Sequence, residues 1–228
     1  MNDVAMLSFH QVTFSYARTP VLQQLDFSMS MGERVALTGP NGSGKSTFIR
    51  LILGFLKPQK GLITFLGKTN ATRRREIAYI PQVSNVDTSF PITVEEVVAM
   101  GVSERFLGHL DKKQRLKVRE AMEYMDITSY ANELFETLSG GFRQRVFIAR
   151  ALTHSWKLFI LDEPYSYVDQ HIQRVLTRMI EEMGKDKSLI LVTHSHEFTE
   201  KQFPRVMCFH QGKLLSAQTC DPYAEHGL

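Results

Sequence analysis

The chain has 228 residues, with 27 Lys plus Arg against 24 Asp plus Glu and a formal net charge of +3. That length suits one domain with a sub-domain, able to bury roughly 70–75% of its unfolded surface. With 43% hydrophobic and 22% charged residues it reads as neither disordered nor fibrous, and so small a charge does not by itself imply nucleic acid.

The N-terminus, with Asp3 and no basic stretch before an apolar core, is not expected to be a signal peptide. Alternation at Leu7, Phe9, Val12 and Phe14, and again at Leu25, Phe27 and Met29, predicts antiparallel strands. Arg34–Thr38 reads as a short strand entering a glycine-rich turn, followed by a helical pattern over Thr47–Leu53 that stops at Gly54. From Thr93 to about Leu152 the periodic segments read helical. Thr93 with Glu96, and Asp111 with Gln114, have the form of capping boxes, and a third helix is expected after Gly140-Gly141. The basic runs Arg73–Arg75 and Lys112–Arg119 lack interleaved aromatics and read as solvated surface.

Leu158–Leu161 and Leu189–Thr193 are continuous apolar runs, as expected of strands covered on both faces. Between them Ile172, Val175, Leu176, Met179, Ile180 and Met183 recur at helical spacing, which predicts a parallel crossover unit. A hairpin is expected around Gln211-Gly212. Cys208 and Cys220 suggest neither a disulfide framework nor a metal site. No apolar run approaches the roughly 18–20 residues of a membrane helix. The expected fold class is α/β: a core with a mostly parallel sheet, an N-terminal antiparallel β sub-domain and an all-helical insertion. The approximate boundaries are 1–84 and 157–228 for the core and 85–156 for the insertion.

Gly39-Pro40-Asn41-Gly42-Ser43-Gly44-Lys45-Ser46, continuing into Thr47, fits the pattern G-x-x-x-x-G-K-[ST] between a strand and a helix. Glycines let consecutive N–H groups turn inward, and the helix beginning there adds its positive dipole end, so the turn can cradle phosphates. Lys45 is suited to the β and γ oxygens, and the Ser46 hydroxyl to Mg²⁺. Asp162 and Glu163 stand at the carboxyl end of an apolar strand, where open parallel sheets bind ligands. Asp162 is the candidate Mg²⁺ ligand and Glu163 the candidate base for a water attacking a γ-phosphate. Leu138–Arg145 opens a helix with Ser139, Gly140 and Gly141, which by chemistry alone serves equally as a helix cap or as an anion site. His194-x-His196 has the spacing of two metal ligands on a strand, with no third ligand placed beside it.

In this order and approximate spacing the motifs closely resemble the ATP-binding cassette of ABC transporters, over nearly the whole chain. The resemblance implies that the α/β core is a P-loop NTPase core and that the chain is an ATPase with ATP and Mg²⁺. Tyr16 falls where the family stacks an aromatic on adenine, Gln82 at the Q-loop that joins the Mg²⁺ site to the helical sub-domain, and Asp169 at the D-loop. It implies catalytic roles for Glu163, His194, Gln82 and Lys45, and Mg²⁺ ligation by Ser46, Gln82 and Asp162. The family's cassettes pair head to tail, so Ser139, Gly140, Gly141 and Gln144 of the signature are expected at the nucleotide of a second copy. Two departures stand out: Phe142 where Gln is common, and Ser166-Tyr167-Val168-Asp169 where Ser-Ala-Leu-Asp is common.

The stretch Val86–Gly101, with its Ser-Phe-Pro-Ile-Thr-Val run, is similar to cassettes of manganese, zinc and iron importers. Partners implied are an integral-membrane permease, docked near Val86–Pro91, and an extracytoplasmic metal-binding protein; nucleic acid is not expected. The location implied is cytoplasmic, peripheral on the inner face of the membrane through the permease. The alternatives are import of an iron chelate or another small solute, or a soluble ABC ATPase of iron–sulfur assembly, translation or nucleic-acid work.

Overall fold

A computed structural model describes residues 5–69, 76–82, 90–102, 109–165, 169–182, 187–193 and 203–216. The chain divides into two units: residues 1–77, 157–160 and 184–228 in the first, and 78–156 and 161–183 in the second.

In the first unit β1 (Leu7–Tyr16) and β2 (Thr19–Met29) pair antiparallel, with Leu7, Phe9, Val12, Phe14, Leu22, Leu25, Phe27 and Met29 buried. The period-2 pattern therefore builds the face it predicted. The sheet is completed by β4 (Lys60–Phe65), antiparallel to β1, and the two-residue β5 (Lys68–Thr69), giving the order β2-β1-β4-β5. Neither of these last strands was foreseen.

The second sheet is built on β3 (Arg34–Thr38), parallel to both β8 (Ser188–Val192) and β9 (Arg205–His210). With β6 (Ile77–Ile80), β7 (Leu158–Asp162) and β10 (Lys213–Ser216), its order is β10-β9-β3-β8-β7-β6. Strands β6 and β7 pass from the first unit into the second along their length. All five residues of β7 and of β8 are buried, which is why both read as unbroken apolar runs. The β9–β10 hairpin turns at Gln211-Gly212, as predicted. Cys208 on β9 is 1% exposed; the chain's other cysteine, Cys220, lies outside the described residues.

Helix α1 (Lys45–Ile52) follows β3. Its Phe48 is fully buried and meets Phe9 (centroids 4.5 Å, stacked), Phe27 (5.3 Å) and Phe209 (5.4 Å). One side chain thus anchors the helix to strands of both sheets of this unit, and aromatic pairs at such spacings are each worth about 0.5–1.5 kcal/mol beyond their burial.

The second unit carries α2 (Val94–Ala99), α3 (Lys112–Tyr124), α4 (Gly140–Thr153) and α5 (Gln170–Glu182), with single 3₁₀ turns at Thr128–Tyr130 and Phe135–Thr137. Both predicted capping boxes are formed, Thr93 with Glu96 and Asp111 with Gln114. Helix α3 buries Val118, Ala121 and Met122 and leaves Lys112, Lys113, Arg115, Lys117 and Arg119 exposed, so its basic run is a solvated face. Helix α4 begins at Gly140, not after Gly141, because Ser139 is its N-cap.

Candidate active site

Strand β3 ends on Thr38, and the chain leaves it through Gly39 at φ +131°. A Cβ there would stand 2.5 Å from the Phe209 carbonyl oxygen, so only glycine lets the turn pass this close to β9. The turn closes with Ser43 N–H donating to Pro40 O at 3.3 Å. Helix α1 then begins with Gly44, at φ +116°, as its N-cap and with no side chain capping it. Its first backbone N–H groups are therefore left to bind an anion.

Lys45 is 8% exposed, and its Nζ donates to the carbonyls of Gly39 (2.7 Å) and Pro40 (2.8 Å). Ser43 Oγ is buried without a partner among the described residues. A buried hydroxyl left unbonded is costly and points to a ligand. Ser46 is exposed on the first turn of the helix and Thr47 is buried, while Asn41 and Gly42 are exposed at the tip. Tyr16 sits in the same unit with its ring edge-on to Phe14 at 5.0 Å, and its hydroxyl accepts from Arg50 of α1 at 3.3 Å. That packing still leaves Tyr16 41% exposed, enough for a planar ligand to cover.

The second unit holds the other candidates. Asp162 closes β7 at 6% exposure, and its Oδ2 accepts from the Tyr79 hydroxyl at 3.2 Å. Glu163 follows at φ +50°, a left-handed conformation that costs a non-glycine residue about 1–2 kcal/mol. The strand therefore breaks abruptly at the proposed base, and strain of this kind gathers at functional sites. Gln82 is half-buried two residues past β6. Two residues past Glu163, burial pushes the Tyr165 phenol well above its ordinary range, so it stays neutral.

Ser139 serves as a helix cap, its Oγ accepting from Phe142 N–H at 3.5 Å, with Gly140 and Gly141 half-buried in the first turn. Gln144 is 1% exposed and points inward, its Nε2 3.5 Å from the Pro164 carbonyl. Asp169 caps α5 through the Ile172 N–H at 3.0 Å and pairs with Arg145 at 2.8 Å. His194 and His196 lie outside the described residues, as do Val86–Ser89 of the expected permease-docking stretch. Tyr79 and Tyr165 were not singled out from the sequence, and Arg145 only as the end of the Leu138–Arg145 stretch; no local pattern marks a contact such as that of Tyr79 with Asp162, 83 positions away.

Residues 22–166 match the ABC transporter family. The chain belongs to the ABC transporter family. It is 35% identical to the zinc transport system ATP-binding protein TroB of Treponema pallidum, across 91% of this chain and 81% of that protein. It is 34% identical to the manganese transport system ATP-binding protein MntB of Bacillus subtilis, across 91% of this chain and 84% of that one. Among solved structures, a dimeric ATP-binding cassette in a post-hydrolysis state, bound to ADP and phosphate, superposes with a TM-score of 0.77 at 26% identity, covering 92% of this chain and 96% of that one. The cassette accordingly has the α/β P-loop fold expected from its sequence, and it is the family's nucleotide-binding ATPase component. Among its described residues no helix is long and apolar enough to cross a membrane.

Proposed function

We propose that the cassette hydrolyses ATP to energise uptake of a divalent metal ion, zinc or manganese, through a partner permease. The observation that carries this reading is the likeness, across nine tenths of the chain, to ATP-binding proteins of zinc and of manganese transport. The Ser-Phe-Pro-Ile-Thr-Val run before α2 supports the same subgroup.

In this reading the γ and β phosphates lie against the N–H groups of Gly42–Thr47. Lys45 exchanges its bonds to the loop carbonyls for phosphate oxygens. Ser43 Oγ is placed to donate to the same oxygens, which would give that buried hydroxyl its partner. Tyr16 covers the adenine. Ser46, Gln82 and Asp162 offer a hydroxyl, an amide carbonyl and a carboxylate, the hard oxygen donors that suit Mg²⁺. When bound, Mg²⁺ neutralises charge on the β and γ oxygens. Glu163 takes a proton from water as the water oxygen bonds to the γ-phosphorus and the bond to ADP breaks, yielding ADP and phosphate. His194 contacts the γ-phosphate and helps set that water.

A second copy, head to tail, brings Ser139, Gly140 and Gly141 to each nucleotide, with Asp169 at the interface. Gln144, also expected there, is buried and turned toward the Pro164 carbonyl of its own chain, so it is left out of that contact. Closure of the pair moves the permease, an extracytoplasmic metal-binding protein delivers the ion, and the cassette stays at the inner face of the membrane. The test is uptake of radioactive zinc and manganese in cells lacking the gene, complemented with wild type or Glu163→Gln. Metal uptake restored by wild type alone supports the proposal. Uptake unaffected by loss of the gene overturns the metal assignment.

A further inference from the structure

The oxygen of Tyr79 reaches a carboxylate 83 positions away in sequence: its hydroxyl donates to Asp162 Oδ2 at 3.2 Å, both residues lying in the second unit. The backbone of Tyr79 is gripped as well, its carbonyl accepting from Arg150 Nη2 at 2.7 Å. Arg150 is itself seated on α4, with its guanidinium 5.0 Å from the Phe147 ring centroid. Tyr79 is therefore held from behind by α4 and reaches forward to the end of β7. A donor to an ionised carboxylate makes one of the stronger hydrogen bonds available to a protein, and it restricts the carboxylate's rotation.

We propose that Tyr79 is a positioning residue for the divalent cation that accompanies the nucleotide, fixing the Asp162 carboxylate so that the metal meets a preset ligand. The inference rests on the Mg²⁺-ATP reading of Asp162. It adds a residue that touches neither metal nor nucleotide and through which α4, the helix opened by Ser139, reaches the metal ligand. Partners behind a metal ligand typically alter metal affinity by about 10–100-fold when removed.

The full-length chain is mixed with a non-hydrolysable ATP analogue and titrated with Mn²⁺, bound metal being read by electron paramagnetic resonance. Tyr79→Phe keeps the ring and removes only the oxygen. Its Mn²⁺ affinity is expected to fall by about 10-fold or more, while its affinity for the analogue in the presence of EDTA stays at the wild-type value. Equal Mn²⁺ affinities in the two proteins would overturn the proposal. Loss of analogue binding without metal would also overturn it, by making Tyr79 a residue of the fold. A wild-type chain that binds no Mn²⁺ with the analogue would instead bring down the Mg²⁺-ATP reading of the site, and this inference with it.

Discussion

Arg145 of α4 donates to Asp169 at 2.8 Å, so the helix that begins at the signature is tied to the first turn of α5 in the same unit. The pair is unequal, since the Arg145 side chain is 14% exposed and that of Asp169 is 55% exposed. Asp169 also caps α5 through Ile172 N–H. The two jobs separate by substitution. Asp169→Asn keeps a capping oxygen and loses the ion pair, whose exposed partner limits it to below about 1 kcal/mol. Asp169→Ala also loses the cap, for a further loss of about 1 kcal/mol. Urea denaturation of the three proteins should rank them wild type, Asn, Ala; equal losses for the two variants would mean that the cap contributes nothing.

Phe142, which departs from the family's usual Gln, packs within its own unit. Its ring lies 4.6 Å from that of Tyr130, and the Arg145 guanidinium sits 5.2 Å from its centroid. Phe142→Gln removes one aromatic pair and one cation–π contact, a loss of about 1–2 kcal/mol. Thermal unfolding checks this, and a melting temperature at or above wild type would show that the stack is not stabilising.

Glu163→Gln retains the size of the side chain and removes its basicity. Turnover is expected to fall by at least about 10²-fold, with ATP binding preserved. Phosphate release and equilibrium binding measured on one preparation separate the two properties, and near-normal turnover removes Glu163 from the role of base.

Lys45→Ala acts earlier, on binding. It removes the one charged donor of the turn, whose hydrogen bonds to anions are roughly twice as strong as neutral ones. ATP affinity should drop by about 10-fold or more, the equivalent of roughly 1.4 kcal/mol. An unchanged dissociation constant argues against the phosphate cradle.

What the amino-acid order determined by itself was everything local. The turn at Gly39–Ser46, the capping boxes at Thr93 and Asp111, the unbroken apolar strands β7 and β8 and the amphipathic α5 each depend on residues within a few positions, so their patterns stand in the chain. The tertiary structure alone decided the rest. Strand β4 was hidden because Gly61 interrupts it and Leu62 faces outward at 50% exposure; it exists because β1 offers it a pairing edge. The carbonyls of His10 and Gln11 press so close to Gly61 that a Cβ would collide with both, a constraint visible only once the strands are paired. The four-phenylalanine cluster around Phe48 and the bonds from Tyr79 to Asp162 and from Arg145 to Asp169 join residues remote in sequence. No local period encodes such contacts, because they form only where the whole chain's burial of apolar surface brings two strands or helices together.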